Sequence, residues 1–132
     1  MQRKNRPGTP QPSDSGPHCH DCLPGRGERF GLVVRFTLKP GHEGSFDRLV
    51  AETLPRIRDA EPGTLIYACH EVHGAPSERV FYEMYRDHDA FETHERQPHV
   101  RRFLAEREQH LARMDVEFLT LDDAIGIPQG GE

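Results

Sequence analysis

Two histidines, His94 and His99, lie five apart in the run FETHERQPHV, residues 91–100, with Pro98 directly before the second. Imidazole is the side chain best able to take up and release a proton near neutral pH, so such a pair is a candidate for acid–base work. Proline disfavours helix in the residue before it and suits the first position of the next helix, which makes Gln97-Pro98 a corner between two helices. His94 follows Ala90 and Phe91 by four and three residues, on their inward stripe, and His99 falls in the first turn beyond the corner. Both rings can therefore face one cavity, or else brace the corner through backbone hydrogen bonds.

Four other positions could join them. Glu83 alternates with Phe81 and Tyr85 on one strand face, which encloses a carboxylate among aromatic rings. Such a group is a general base, an anchor for the corner histidines, or half of an ion pair with Arg35 or a histidine. Tyr67 and Tyr85 can hydrogen-bond a ligand oxygen, or simply tie a sheet to its helices. His70 shares a strand face with Ile66, Ala68 and Val72 and is expected to see the pocket, whereas His73 on the other face is expected at a solvated strand end. Arg35 would stabilise an anion if it points inward, and Cys69 reads as a small buried apolar residue.

Other chemistries find no support. The run HCHDC, residues 18–22, offers Cys19 and Cys22 but no second ligand pair at zinc spacing, so no metal site is expected. There is no glycine-rich phosphate loop, nucleophile elbow or HExxH, and hence no expected flavin or nicotinamide cofactor. Three cysteines do not make a disulfide framework.

The elements that must hold these residues begin after a long preamble. Residues 1–27 contain five prolines and four glycines without apolar periodicity, and are expected to form a flexible extension. From residue 28 the pattern changes. Phe30, Leu32, Val34, Phe36 and Leu38 alternate along a strand, and Phe46, Leu49, Val50, Leu54 and Ile57 mark a helix from about His42 to Ala60. Pro55 predicts a kink or break near Thr53, and Glu61-Pro62-Gly63 ends that helix. Strands over 64–73 and 79–86 follow, joined by a loop at Gly74 to Glu78. Asp87 caps a short helix, another runs from Pro98 with Val100, Phe103, Leu104 and Leu111, and a strand covers 114–121. The order β-α-β-β-α-α-β is the α+β, ferredoxin-like split βαβ arrangement over residues 28–121, with a tail at 122–132. One sheet face stays uncovered and partly apolar, which predicts a homodimer through that face.

The chain carries a net charge of -5 with both signs interspersed, which speaks against nucleic acid as a partner. No hydrophobic signal core or membrane-length apolar run occurs, so no membrane association is expected and the cytoplasm is the expected location.

Residues 82–103, YEMYRDHDAFETHERQPHVRRF, resemble the antibiotic biosynthesis monooxygenase family of dimeric α+β barrel proteins. The likeness rests on Glu83 and Tyr85, Ala90 and Phe91, His94, Pro98 and His99, and Phe103, supported by Lys39-Pro40-Gly41, Glu61-Pro62-Gly63 and Tyr67. Glu95 departs from it, since many relatives have an apolar residue there. The resemblance covers about residues 29–121. It implies a cofactor-independent monooxygenase that oxidises an electron-rich aromatic, such as a hydroquinone or anthrone, with dioxygen. His94 or His99 would then be the base and Glu83 its orienting partner, with Tyr67, Tyr85, His70, Arg35, Phe91 and Phe103 around the substrate. A proton-transfer isomerase and a non-catalytic dimeric binding protein are alternatives on the same fold. Haem is not expected, because the haem-degrading relatives pair a ligating histidine with a pocket tryptophan and this chain has no tryptophan.

Overall fold

The computed structural model describes residues 28–127. Along the chain run β1 (Phe30–Leu38), α1 (Glu43–Ala60), β2 (Thr64–Val72), β3 (Ala75–Tyr85), α2 (His88–Arg96), α3 (Pro98–Arg107), a 3-10 turn at Glu108–His110, and β4 (Leu111–Thr120). The strands form one sheet in the order β2-β3-β1-β4, every neighbour antiparallel. This is the expected ferredoxin-like α+β topology.

The alternation in β1 decides which face is buried. Phe30, Leu32, Val34, Phe36 and Leu38 join Phe46, Leu49 and Val50 of α1, Phe81 and Tyr85 of β3, Ala90 of α2 and Phe103 of α3 in one core. Phe36 and Phe46 are wholly inaccessible, and burying one such ring contributes about 1.5–3 kcal/mol. The opposite face carries Val33, Ile66, Ala68 and Tyr82, all half-buried although no helix covers them.

Three expectations about the elements need correction. Of the kink or break expected near Thr53, the break does not occur, and α1 continues through Pro55 as one helix of 18 residues. Proline deprives only the carbonyl four residues earlier of its donor, and both Ala51 and Pro55 are exposed, so water can serve that group. β3 begins at Ala75 rather than at residue 79, because a two-residue turn, His73-Gly74 with Gly74 at φ 80°, joins it to β2. Leu111 belongs to β4 and not to the last helix. It pairs with Leu38, and the bulge between Thr37 and Leu38 absorbs the shift in register.

Candidate functional site

Local geometry brings the end of α1 against the corner between α2 and α3. Glu61 caps α1, its N–H donating to the Ile57 carbonyl at 3.0 Å, and its own carbonyl accepts from the Thr64 N–H at 3.0 Å. Two residues on, the chain touches α2 so closely that a Cβ on Gly63 would lie 2.7 Å from the Ala90 Cβ. Only glycine permits that approach. The first turn of α2 is fixed there by the Asp87 carboxylate, which accepts from the Ala90 N–H at 2.8 Å as expected. At the other end Gln97 is extended (φ -67°, ψ 140°) and Pro98 opens α3. The corner stands where the proline places it.

Both corner histidines reach the same carboxylate. His94 Nδ1 is 2.6 Å from Glu61 Oε1, and His99 Nε2 is 2.5 Å from Glu61 Oε2. The Thr64 hydroxyl donates to Oε1 at 2.7 Å. A carboxylate only accepts, so each ring directs an N–H toward it, which leaves His94 Nε2 and His99 Nδ1 as the opposite nitrogens. Burial acts to raise the Glu61 pKa, but the hydrogen bond and charge of His94, then Thr64 and His99, outweigh it and hold the carboxyl below its ordinary value. Glu61 is thus an anion satisfied on both oxygens.

Glu83 is also 5% exposed but differently placed. Its hydrogen-bond partner is the Tyr85 hydroxyl, which donates to Oε1 at 2.5 Å. Desolvation therefore prevails over the help of Tyr85 and the charges of His94 and Arg107, and its pKa is raised. The rings of Tyr67 and Tyr85 lie 5.5 and 5.1 Å from that of His94, which places the imidazole among the aromatic groups beside this carboxyl.

An arginine that reaches from a helix to the sheet shares this interior. The guanidinium carbon of Arg107, the last residue of α3, lies 5.2 Å from the Phe36 ring centre and 5.6 Å from that of Phe103. Its Nη2 is 3.3 Å from Met114 Sδ, and its Nε is buried without a hydrogen-bond partner. Burial lowers its pKa against the opposing charges of Tyr67, Glu108, Glu83 and Glu95.

The profile of the antibiotic biosynthesis monooxygenase family matches residues 29–106. The chain belongs to this family. Solved structures agree with it in fold. A Pseudomonas aeruginosa protein is 25% identical with a TM-score of 0.67, covering 75% of this chain and 99% of its own. A Mycobacterium tuberculosis protein is 25% identical at a TM-score of 0.69, covering 74% and 99%. A Caulobacter crescentus protein carrying the family's name is 18% identical at 0.72, covering 80% and 99%. No curated protein sequence matches the chain.

Within the family fold, the residues expected around a substrate divide by face. Tyr67 and Cys69 pack against the core, Phe103 is buried at 2% and Phe91 is half-buried. Burial pushes the Cys69 thiol up to about 12, with Glu83 and Asp47 adding to the effect, which leaves an inert neutral group. Tyr85 is fully buried, its hydroxyl given to Glu83 and thus committed within the protein.

The inward placement of two residues is corrected. His70 lies opposite Val80 on the helix-free face, exposed, with Nδ1 3.0 Å from the Val80 carbonyl. Its phase along β2 matches Ile66 and Ala68, and that phase points away from the helices while Tyr67 and Cys69 point toward them. Arg35 is exposed on the same outer face, where it pairs with Glu78. The expected pairing of Glu83 with the histidines is likewise replaced by Glu61, which in sequence looks only like a helix terminator. Cys19 and Cys22 lie outside the described residues, as do the extension over 1–27 and residues 128–132. None of the described helices is long and apolar enough to cross a membrane.

Proposed function

We propose that this protein is a cofactor-independent monooxygenase of an electron-rich aromatic substrate of the hydroquinone or anthrone type. The observation that carries the reading is His94, held at Nδ1 by a buried carboxylate with its ring among Tyr67, Tyr85 and Glu83. A carboxylate on one nitrogen fixes the tautomer and leaves the other nitrogen as an acceptor for a substrate proton.

For an anthrone, His94 Nε2 takes one hydrogen of the ring methylene as a proton, and the electron pair stays on the substrate as an enolate. The enolate carbon passes electrons to dioxygen and bonds to one of its oxygens, giving a peroxide that recovers the proton. Loss of the second methylene hydrogen with cleavage of the O–O bond leaves a carbonyl and releases water. One oxygen atom enters the product and the other leaves as water, so the substrate supplies all four electrons. Glu61 stabilises the imidazolium, and Tyr67 hydrogen-bonds the enolate oxygen. The apolar surroundings keep the reactive anion from water.

We also propose that two copies associate through the helix-free sheet face, whose half-buried Val33, Ile66, Ala68 and Tyr82 are otherwise left to water. Light scattering at micromolar concentration should then give twice the chain mass, and a monomer would count against it.

The decisive experiment is oxygen consumption by metal-stripped protein over a panel of hydroquinones and anthrones, compared with His94→Gln. Removing a general base costs about 10²–10⁴-fold in rate, so the variant should fall to near the spontaneous rate. Equal rates in both proteins would remove His94 as the base. Substrate turnover without oxygen uptake would replace the oxygenase by an isomerase, and a protein inert toward the whole panel would leave the Glu61 cluster as a structural brace.

A further inference from the structure

The helix side of β4 is only partly roofed. Met114, Val116 and Phe118 alternate on it, opposite Phe36, Val34 and Leu32 of β1. Val116 is 37% and Phe118 60% exposed, although their β1 partners are buried. Phe118 leans on Phe30 and Phe91, with ring centres 5.8 and 6.0 Å apart, so the strip is continuous with the aromatic groups around His94. From Met114 to Phe118 it extends about 13 Å at the ordinary strand rise.

Arg107 stands at the Met114 end of this strip. A guanidinium has five N–H donors in a planar fork, suited to an oxyanion. Here a thioether and two aromatic faces are its immediate neighbours, and a buried Nε has no hydrogen-bond acceptor. Glu83 and Glu95 are near enough to act on it through charge, yet neither hydrogen-bonds it. Leaving such a group short of acceptors is costly, and apolar packing alone would be better served by an uncharged side chain. Among the described residues the buried Nε lacks an acceptor, and the strip beside it lacks an apolar partner.

We propose that the helix side of β4 receives an apolar ring system bearing one oxyanion, a phenolate or carboxylate, which Arg107 binds while the rings lie on Met114, Val116 and Phe118. This deepens the reading of the site given above and rests on it for the identity of the site, since an ionised enol or phenol is the form of substrate that can donate electrons to dioxygen. Arg107 would then select the substrate by charge and hold its reactive form.

The test uses the full chain and three probes of one skeleton: 2-naphthoate, 2-naphthol and 2-methylnaphthalene, titrated by fluorescence or calorimetry at pH 7. Wild type should bind naphthoate at least about tenfold more tightly than methylnaphthalene, the scale of one charge-assisted hydrogen bond. Arg107→Met should lose that preference while keeping its affinity for methylnaphthalene, and Arg107→Lys should retain part of it. Bound naphthol should ionise at lower pH in wild type than in Arg107→Met if the site takes phenolates. An effect on naphthoate alone would restrict it to carboxylates. Equal binding of charged and neutral probes by wild type, no binding of naphthoate at millimolar concentration, or an undiminished preference in Arg107→Met would each overturn the proposal. Arg107→Lys decides the matter if Arg107→Met does not fold. Charge preference does not depend on turnover, so a preference without oxygen uptake would spare Arg107 and sink the oxygenase, and uptake without the preference would do the reverse.

Discussion

Glu61 and Glu83 are equally exposed, at 5%, yet their affinities for a proton move in opposite directions. Glu61 ends a helix where three donors from three other elements converge, and its charge is stabilised on both oxygens. Glu83 stands near the end of a strand with one phenol as its hydrogen-bond partner. Glu83 lies deeper among protein atoms, so its desolvation is the greater, and it has fewer donors to offset it. The first carboxyl accordingly holds a proton less tightly than an ordinary glutamate, and the second more tightly.

The comparison is most severely tested by removing the satisfied carboxylate. Glu61→Ala leaves two imidazoles and a hydroxyl without their common acceptor, and breaking a buried charged contact from one side costs about 3–5 kcal/mol. Urea or thermal unfolding should show a loss of that size, with His94→Ala adding little further loss on top of it, because the two residues form one unit. Additive losses from the two substitutions would mean that Glu61 and His94 act separately, and the contrast with Glu83 would fail.

How much of this is legible in the sequence follows from the range of each interaction. The alternation of Phe30 to Leu38, the Asp87 cap and the Gln97-Pro98 corner are local, and each suffices to place its element. Pro55 misleads because its effect depends on whether the abandoned carbonyl meets water, a tertiary fact. Leu111 fits a helical stripe as well as a strand, and pairing with Leu38 decides between them. The two histidines can be seen to share a corner, but their carboxylate lies 33 and 38 residues away, and nothing in Glu61-Pro62-Gly63 distinguishes a helix end from a site. Arg107 reads as one more charge near a helix terminus. The strand phase of Glu83 is evident, while its want of donors is visible only once the neighbours are in place.

An intermediate effect should come from the contact that docks α2 on the end of α1. Gly63→Ala would force a Cβ to within 2.7 Å of that of Ala90, and overpacking of this kind costs about 1–3 kcal/mol. The displacement would move His94 away from Glu61 without touching either residue. Stability should fall by that amount, with a change in the imidazole proton resonances of His94 and His99. The environment of Glu83, reached through β3, should hardly alter. Unchanged imidazole signals would show that the Glu61 cluster does not depend on this glycine.

The smallest effect is the most specific, because it asks for opposite signs from the two carboxyls. Glu83 binds its proton more tightly in the folded protein than in the unfolded chain, so as pH rises from the ordinary glutamate value through the raised one, folding must retain a proton that the unfolded state has lost. Stability falls across that window, by at most about 1.4 kcal/mol per pH unit from this group. Glu83→Gln cannot titrate, so its stability relative to wild type should improve as pH rises from the ordinary glutamate value through the raised one. Glu61 behaves inversely. Its stabilisation is complete above the ordinary glutamate value and is lost as pH falls through the lowered one, so the penalty of Glu61→Gln should shrink toward acid and stay constant toward neutrality. Urea unfolding of wild type and both variants at half-unit steps from pH 3.5 to 8 measures the two differences directly. Curves with the same slope would mean that Glu83 is as well served by donors as Glu61, and the contrast between the two carboxyls would be gone.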